Sequence, residues 1–340
     1  MPKQEEIMKT MRAVRISGPT RAEDIRITEV PVPEVRPGWV LVRIRAFGLN
    51  HSEQILREQE ILCDYIQKPV IPGIECVGEV EDPSDSGLIK GQKICALMGG
   101  MGRSFDGSYA EYALLPNSHV FPVHSALSWK EMAAVPETYY TAWGSLMQSL
   151  QLKAEDKLLI RGGTCALGYA SIQLAKALGC QVAATTHRRE KLEFLKKAGA
   201  DECILDHGDG SDGPLGEKIT GVTKALELVG ANTLLDTLRA VEPGGMACHT
   251  GILGGSFSIP NFYPIQQIPN FVYLTGFHSN FPKAEDMRTI FSFLDTHKLR
   301  PQMGAAYHFQ DIRKAMMDLD HHKTNGKIVI TMDSFENVSG

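Results

Sequence analysis

The sequence lacks the features of a cross-linked, membrane-spanning or nucleic-acid-binding protein. Its seven cysteines form no C-x-x-C pair, so neither a disulfide framework nor a zinc ribbon is indicated and reduced thiols are expected. No run reaches the roughly 18 apolar residues that cross a bilayer, and the polar start MPKQEEIMKTMRAV has no apolar core typical of a signal peptide. A net charge of −5 gives no reason to expect a nucleic acid or an anionic membrane as partner. These absences predict a cytoplasmic protein.

The composition and the pattern of apolar runs indicate two domains. Hydrophobic residues make up 43% of the 340 residues and charged residues 22%, which is typical of a globular protein too long for one ordinary core. Short strand-like runs fill residues 8–130, whereas strands alternate with helical segments over 131–294. We therefore predict an α/β fold, with a β-rich domain of residues 8–130 completed by 295–340 and a doubly wound parallel sheet over 131–294. The expected strands of that sheet are Lys157–Ile160, Val182–Thr185, Glu202–Leu205, Ala225–Val229, Gly245–Thr250 and Phe271–Phe277.

Residues 157–191 carry the most informative motif of the chain. The run KLLIRGGTCALGYASIQLAKALGCQVAATTHRREK predicts a strand, a glycine turn, a helix and a second strand, which is the order of a dinucleotide-binding βαβ unit. The amides that open the helix favour a pyrophosphate because the helix dipole attracts an anion there. The cofactor-binding residues expected in this turn are Gly163, Thr164, Cys165, Ala166, Leu167 and Gly168.

Cysteine stands at the middle glycine of the G-x-G-x-x-G pattern. A glycine turn of this quality, taken alone, is as compatible with a plain structural turn as with a nucleotide site. The apolar face of the following helix, its end at Gly179 and the strand after it favour the nucleotide site.

The end of the second strand distinguishes between the two nicotinamide dinucleotides. NAD sites carry an Asp or Glu there, about 20 residues beyond the glycines, to bind the ribose 2′-hydroxyl. Residues 185–189 contain no acid, and hydroxyls with fixed positive charge suit the 2′-phosphate of NADPH. The alternative is that the basic residues form the solvated first turn of the next helix. The residues predicted to surround the 2′-phosphate are Thr186, His187, Arg188, Arg189 and Lys191.

Eight segments, in this order, resemble the medium-chain dehydrogenase/reductases. They are GWVLVRIRAFGLNHSE, PGIECVGEV, IKGQKI, FDGSYAEY, PETYYTAWGSL, RGGTCALG, VEPGG and GKIVI, and they span nearly the whole chain. Within that superfamily the chain is most similar to the zinc-independent quinone oxidoreductase branch, whose members with an RGGTS-type turn carry Ser or Gly in place of Cys165. The resemblance implies a GroES-like catalytic domain, a Rossmann NADP-binding domain, an active site in the cleft between them, and a homodimer formed through the edge at residues 271–274.

The resemblance also identifies the positions at which a catalytic zinc would be bound. Zinc-dependent members use a Cys, a His and a second Cys or Asp as ligands. The matching positions are Asn50, Ile74 and Glu137, of which isoleucine cannot bind zinc and an amide is a poor ligand. His51 stands beside the first position, but a single histidine is more often structural. We expect no metal.

Without zinc, the expected reaction is hydride transfer from NADPH to a quinone or an α,β-unsaturated carbonyl, with hydrogen bonds polarising the carbonyl. Asn50 matches an active-site asparagine of the branch, and its alternative is a turn-forming role. Tyr140 is the second catalytic candidate, and its alternative is packing at a domain junction. Glu137 either relays a proton or, as we prefer, pairs with a base.

Other cofactor contacts are expected from position. Thr141 resembles a family position near the nicotinamide ribose and pyrophosphate, and His207 follows a strand where relatives place a residue near the adenosine phosphate. Ligands of open parallel sheets bind beyond the carboxyl ends of the strands. On that ground the further residues expected at the nicotinamide half are Gly230, Gly251, Ile252, Phe277 and His278.

Two other functions stay open at this point. A non-catalytic NADPH-binding sensor or structural protein on the same fold is compatible with Cys165 and with the lack of a strong acid/base pair. A zinc-type alcohol dehydrogenase would need ligands that the sequence does not provide.

Overall fold

The computed structural model describes residues 9–332, which divide into two compact units, residues 9–137 with 280–332 and residues 138–279. The strands are β1 (Thr10–Val14), β2 (Ile27–Pro31), β3 (Trp39–Leu49), β4 (Glu75–Asp82), β5 (Lys93–Leu97), β6 (Tyr112–Pro116), β7 (Val120–Pro122), β8 (Lys157–Arg161), β9 (Gln181–Thr186), β10 (Glu202–Leu205), β11 (Val222–Glu227), β12 (Val241–His249), β13 (Tyr273–Gly276), β14 (Met303–His308) and β15 (Lys327–Thr331). The helices are α1 (His51–Glu58), α2 (Trp129–Met132), α3 (Pro136–Trp143), α4 (Ala166–Leu178), α5 (Leu192–Lys197), α6 (Leu215–Lys218), α7 (Ala231–Arg239), α8 (Pro264–Gln267), α9 (Ala284–Thr296) and α10 (Ile312–Asp320). Within residues 9–332, no helix has the length and apolar character needed to cross a membrane.

The first unit is built on a seven-stranded, mostly antiparallel sheet. Its strand order is β14-β15-β3-β4-β5-β7, and β6 pairs with β3 beside this path. The long strand β3 pairs with β4 along one edge and with two strands along the other. On that second edge its first half pairs with β6 (Val42 opposite Ala113) and its second half with β15 (Phe47 opposite Ile330). The C-terminal strand thereby completes the sheet of the N-terminal segment.

The core of the first unit lies against β3. Val40, Val42 and Ile44 are buried there, whereas Arg43 between them is exposed, as expected for a strand with one face against the core. The Phe47 ring stacks on Tyr109 with centroids 5.0 Å apart. Burying a side chain of this size contributes about 1.5–3 kcal/mol relative to leaving it exposed.

The second unit contains a six-stranded parallel sheet. Its order is β10-β9-β8-β11-β12-β13, which is the 3-2-1-4-5-6 order of dinucleotide-binding sheets. Leu158–Ile160 of β8 and Val182–Ala184 of β9 are buried, because a parallel sheet is covered on both faces. The chain order reverses between β8 and β11, so the turn after β8 stands at the switch point where ligands of such sheets bind.

The observed boundaries differ from the expected ones in a few places. The second unit covers 138–279, within the expected 131–294, and α9 belongs to the first unit, where Ser125 Oγ donates to Asp295 Oδ1 at 3.2 Å. Strand β11 ends at Glu227 and not at Val229, because the Glu227 carboxylate accepts the backbone N–H of Val229 and turns the chain. Strand β13 is shorter than the expected Phe271–Phe277, since Phe271 has a positive φ of 64°.

Candidate functional site

The glycine turn joins β8 to α4 and is closed by glycines. Gly162 has a φ of +84°, a backbone conformation that other residues rarely adopt. A Cβ on Gly168 would lie 2.4 Å from the carbonyl oxygen of Gly163, so the first turn of α4 packs directly on the preceding loop. The backbone N–H of Gly163 donates to the carbonyl of Thr185 at 2.9 Å, which fixes the turn against β9. The sequence-predicted turn residues Gly163–Gly168 therefore lie together at one helix start.

Cys165 caps α4. Its backbone is extended (φ −109°, ψ 171°), and its Sγ accepts the Gly168 N–H at 3.3 Å, as a serine or threonine hydroxyl does at many helix starts. Desolvation raises the pKa of the Cys165 thiol, so the side chain is a neutral thiol. The turn carries no negative charge at this position, and Ala166 and Leu167 supply the first amides of the helix, which have no intrahelical partner.

Thr186 connects the glycine turn to the basic loop after β9. Its hydroxyl lies 3.2 Å from the Thr164 hydroxyl and accepts the backbone N–H of Arg188 at 3.3 Å. Arg188 Nε in turn donates to His187 Nε2 at 3.2 Å. The expected 2′-phosphate residues Thr186, His187 and Arg188 are thus connected to the expected pyrophosphate turn by hydrogen bonds.

Desolvation and neighbouring positive charges lower the pKa of two side chains in this loop, His187 and Lys191. Desolvation and then the positive charges of Arg188, Lys191 and His207 lower the pKa of His187. The pKa of Lys191 is lowered by desolvation and by Arg188, and Glu190 acts in the opposite direction on both groups. Positive charges this close together give the loop a local positive potential, which a bound anion would offset. Arg189 is exposed beside these groups, in the short 3₁₀ turn before α5.

His207 follows β10 and is held by an acidic loop residue. Its Nδ1 lies 2.6 Å from Asp212 Oδ2, and its backbone N–H donates to the same oxygen at 2.9 Å. The positive charge of His207 contributes to the lowered pKa of His187, so the loops after the neighbouring strands β9 and β10 lie close together. The expected contact of His207 with the adenosine phosphate stays a prediction.

The loops after β11, β12 and β13 lie at the same edge of the parallel sheet. Gly230 has a φ of 120°, and a Cβ on Gly251 would lie 2.3 Å from the Leu228 carbonyl oxygen, so both loops depend on glycine. Ile252 follows Gly251 in the loop after β12. The backbone N–H of Phe277, in the loop after β13, donates to the carbonyl of His249, the last residue of β12, at 3.3 Å. His278 is exposed in the loop after β13.

Tyr140, Thr141 and Phe277 line one part of the second unit. The Tyr140 and Phe277 rings meet edge to face with centroids 5.7 Å apart, and Tyr140 is 4% exposed. The Phe277 ring lies over Gly144, where a Cβ would be 2.0 Å from it. The Thr141 carbonyl accepts the Ser145 hydroxyl at 2.7 Å. Tyr140 and Phe277 are thus in contact, Thr141 follows Tyr140 in α3, and their roles at the site stay predictions.

A buried charged network beneath the glycine turn was missed by sequence reasoning. Arg161, the last residue of β8, is 2% exposed, and its guanidinium lies 2.8 Å from Asp206 and 2.8 Å from Asp236. Glu227 at the end of β11 accepts the backbone N–H groups of Val229 (2.7 Å) and Gly230 (3.0 Å). Burial raises the pKa of Glu227. A charged residue closing an apolar parallel strand, as in KLLIR and KALE, is the signal that could have identified them.

In the first unit, Asn50 lies where three neighbouring strand ends meet. It follows the end of β3, Glu75 opens β4, and Lys327 opens β15. Asn50 Nδ2 donates to Glu75 Oε1 at 2.9 Å, Lys327 Nζ donates to Asn50 Oδ1 at 2.6 Å, and Lys327 Nζ lies 2.6 Å from Glu75 Oε1. The second oxygen of Glu75 accepts the backbone N–H of Glu137 at 2.8 Å. Lys327 and Glu75 also escaped the sequence analysis, although GKIVI and PGIECVGEV contain them.

A second buried carboxylate fixes the backbone on both sides of this cluster. Glu53 accepts the N–H of Asn50 at 2.8 Å, the N–H of Ile74 at 2.9 Å and the Tyr109 hydroxyl at 2.6 Å. Burial raises the pKa of Glu53. The start of α1 and the loop before β4 are therefore tied to one side chain.

Comparison with known proteins identifies the family. A model of the alcohol dehydrogenase GroES-like domain matches residues 36–125, and a model of zinc-binding dehydrogenases matches residues 166–296. The chain is 25% identical over 336 residues to the quinone oxidoreductase of Homo sapiens, covering 95% of this chain and 98% of that one. The chain belongs to the medium-chain dehydrogenase/reductase superfamily. The predicted quinone oxidoreductase-like branch and the GroES-like and Rossmann folds are confirmed.

Other members of the superfamily are similar over the same length. A zinc-type alcohol dehydrogenase-like protein of Schizosaccharomyces pombe is 26% identical, over 92% of this chain and 96% of that one. The crystal structure of AibC superimposes with a TM-score of 0.84 at 25% identity, covering 97% of this chain and 98% of that one. The chain is thus an oxidoreductase whose second unit is a nicotinamide-cofactor domain.

The metal positions of this superfamily hold other groups here. Ile74 is buried, and the Asn50 carboxamide oxygen already accepts a hydrogen bond from the Lys327 ammonium. Within residues 9–332, no group of three or more His, Cys, Asp or Glu side chains is arranged to hold a metal ion. His51 is the first residue of α1 and belongs to no such group in this part of the chain.

Proposed function

We propose that the chain is an NADPH-dependent oxidoreductase that transfers a hydride to a quinone or an α,β-unsaturated carbonyl without zinc. The observation that carries the proposal is the state of Asn50, whose carboxamide is bound by an ammonium and a carboxylate where zinc-dependent relatives need a metal ligand. A cation at 2.6 Å from the amide oxygen opposes a second cation at the same atom. Substrates that accept a hydride readily need only hydrogen bonds for activation.

NADPH is the proposed cofactor because the residues of the second unit fit it. The glycine turn leaves room for a pyrophosphate at the start of α4, where the close approach of Gly163 and Gly168 excludes a side chain. The cations Arg188 and Lys191, with His187 beside them, suit a 2′-phosphate, because its negative charge would offset their repulsion. The remaining contacts proposed from the sequence are Thr141, Arg189, His207, Gly230, Gly251, Ile252, Phe277 and His278.

The proposed roles of the protein's own groups follow from their hydrogen-bonding capacity. Bound NADPH supplies the hydride. As the hydride reaches the acceptor carbon, the electron pair moves to the carbonyl oxygen, and an N–H of Asn50 stabilises the charge that develops there. The proton that completes the reduction comes from solvent or from the Tyr140 hydroxyl. The product is the dihydro compound or hydroquinone.

Pairing of two chains through β13 is part of the proposal. This strand is the edge of the six-stranded sheet. Its first residue, Tyr273, is 59% exposed, and Phe271, just before the strand, is 80% exposed. An unpaired edge with exposed aromatic residues favours addition of a second copy. A light-scattering mass is the direct check of a homodimer. Residence in the cytoplasm stays a prediction.

The activity is tested by following NADPH oxidation with a panel of quinones and enones. We expect turnover with at least one class, slower turnover with NADH, and no change after dialysis against a chelator. Elemental analysis of the same sample should find less than stoichiometric zinc.

Each unfavourable outcome has a distinct meaning. Tight NADPH binding without turnover on any acceptor would favour the non-catalytic sensor. Loss of activity with the chelator, together with one zinc per chain, would favour an alcohol dehydrogenase of the zinc type. A preference for NADH would contradict the assignment of the basic loop.

A further inference from the structure

The Glu75–Lys327 ion pair is buried beside Asn50 and contacts both ends of its carboxamide. Glu75 is fully buried and Lys327 is 3% exposed. Taking two charges out of water is expensive, and such pairs are often no more stabilising than apolar residues of the same size. The stability of the sheet alone is therefore a weak reason for this arrangement.

The pair fixes which way the amide faces. A lysine ammonium can only donate, and an ionised carboxylate can only accept. Since Lys327 lies at Oδ1 and Glu75 at Nδ2, the flipped carboxamide would place donor against donor and acceptor against acceptor. One of the two amide hydrogens is committed to Glu75, and the second remains available to a ligand.

Gly48 makes room for the pair. A Cβ at this position would lie 2.3 Å from Lys327 Cε and 2.5 Å from Glu75 Oε1. Gly48 lies in β3 and has no positive φ, so its backbone conformation does not require glycine. Glycine is needed there because the Lys327 and Glu75 side chains fill the space that a Cβ would occupy. This observation is independent of the hydrogen bonds and indicates the same arrangement.

We propose that Lys327 and Glu75 are positioning residues that hold the Asn50 carboxamide as a hydrogen-bond donor to the substrate oxygen, in a space that Gly48 provides. The inference rests on the proposed function. Neither residue touches the substrate, so each acts on the rate through Asn50.

The test is a double-mutant cycle on kcat with the best acceptor found. Asn50→Ala is expected to lower kcat about 100-fold, as loss of one donor to a developing oxyanion does. Lys327→Met is expected to lower kcat about 10-fold or more, with the KM for NADPH unchanged, and to have almost no effect in the Asn50→Ala background. Equal losses in both backgrounds would show that the ion pair is only structural and would overturn the inference.

Two variants guard against simple misfolding. Lys327→Met leaves Glu75 buried without its partner, so Lys327→Met with Glu75→Gln removes both charges and should show the same loss of kcat in a stable protein. Lys327→Arg keeps a cation at the site and should recover part of the rate. Recovery of the full rate by the neutral pair would contradict a positioning role.

A matched control lies in the same sheet. Arg45 of β3 and Glu79 of β4 form an ion pair at 2.8 Å, with side chains 21% and 28% exposed. Arg45→Met with Glu79→Gln should leave kcat within about twofold of the parent, because a partly exposed pair away from the site adds little.

A second readout separates the inference from the proposed function. NMR of asparagine-labelled protein reports the Asn50 side-chain amide without any substrate. We expect one ordered pair of amide signals in the parent and exchange between two orientations in Lys327→Met. If no acceptor is reduced, the proposed function fails while this signal still decides whether the pair orients Asn50. Unchanged signals in Lys327→Met would overturn the inference.

Discussion

The second unit has two charged clusters that differ in whether their charges are balanced. One contains Arg161, the residue before the glycine turn, and the other begins at His187, the residue after β9. Arg161 is buried, and its guanidinium is bound by Asp206 and Asp236. Arg188 and Lys191 carry like charge, and after desolvation they lower the pKa of the neighbouring His187. We call the first the closed cluster and the second the open cluster.

We infer from this difference that the closed cluster stabilises the fold and that the open cluster binds a ligand. The closed cluster satisfies its own charges and fixes the chain at Asp206, just before His207, so it needs no ligand. The open cluster has a positive potential that the fold does not neutralise, and a dianionic phosphate would do so. The Asn50 cluster of the first unit is also closed, apart from its one available amide hydrogen.

The largest predicted effect comes from breaking the closed cluster. Arg161→Met removes the cation and leaves the buried Asp206 and the partly exposed Asp236 without their partner, which should cost about 3–5 kcal/mol of unfolding free energy. Urea denaturation measures this loss. Arg239→Met, at an exposed arginine at the end of α7, is the control and should change stability by less than about 0.5 kcal/mol. Equal stability of the two variants would show that the closed cluster gives no support.

A change in cofactor preference is predicted for the open cluster. Arg188→Ala with Lys191→Ala should weaken NADPH binding about 10- to 100-fold, since charge-assisted hydrogen bonds are worth about 1.5–3 kcal/mol, and should leave NADH binding unchanged. Fluorescence titration gives both dissociation constants, and the NADPH value of the parent should also weaken with salt. Lys196→Ala with Lys197→Ala removes the same charge from exposed positions in α5 and should affect neither cofactor. Parallel losses for NADPH and NADH would refute the 2′-phosphate assignment.

The sequence allowed the open cluster to be predicted but not the closed ones. His187, Arg188 and Lys191 lie within five residues of the chain, directly after a regular strand, so the local pattern was enough. Arg161 lies far along the chain from the residues that it contacts, Asp206, Asp236 and Thr237, with a separation of 76 positions in the case of Thr237. These residues meet only when the sheet has formed. Lys327 lies 277 positions from Asn50 in the chain, and at that separation nothing in the sequence around either residue indicates that they are in contact. Strand interiors were predicted well because they too depend on the local pattern. The bounds of β11 and β13 were not, because Glu227 turns the chain after β11 and Phe271 has a positive φ before β13.

The smallest predicted effect tests whether the Cys165 cap in the glycine turn adds to the stability of the protein and to its affinity for NADPH. Cys165 caps α4 through sulfur, which is a weak acceptor, whereas serine is among the preferred capping residues. Cys165→Ser should therefore equal or slightly exceed the parent in stability and in NADPH affinity. Cys165→Ala should cost about 0.5–2 kcal/mol of stability because the Gly168 N–H loses its side-chain partner. Thermal unfolding and NADPH titration measure both effects, and Cys203→Ser, at a half-buried cysteine of β10, is the control for loss of a thiol. If Cys165→Ala matched the parent in both measurements, the sulfur cap would have no role, and cofactor discrimination would belong to the basic loop alone.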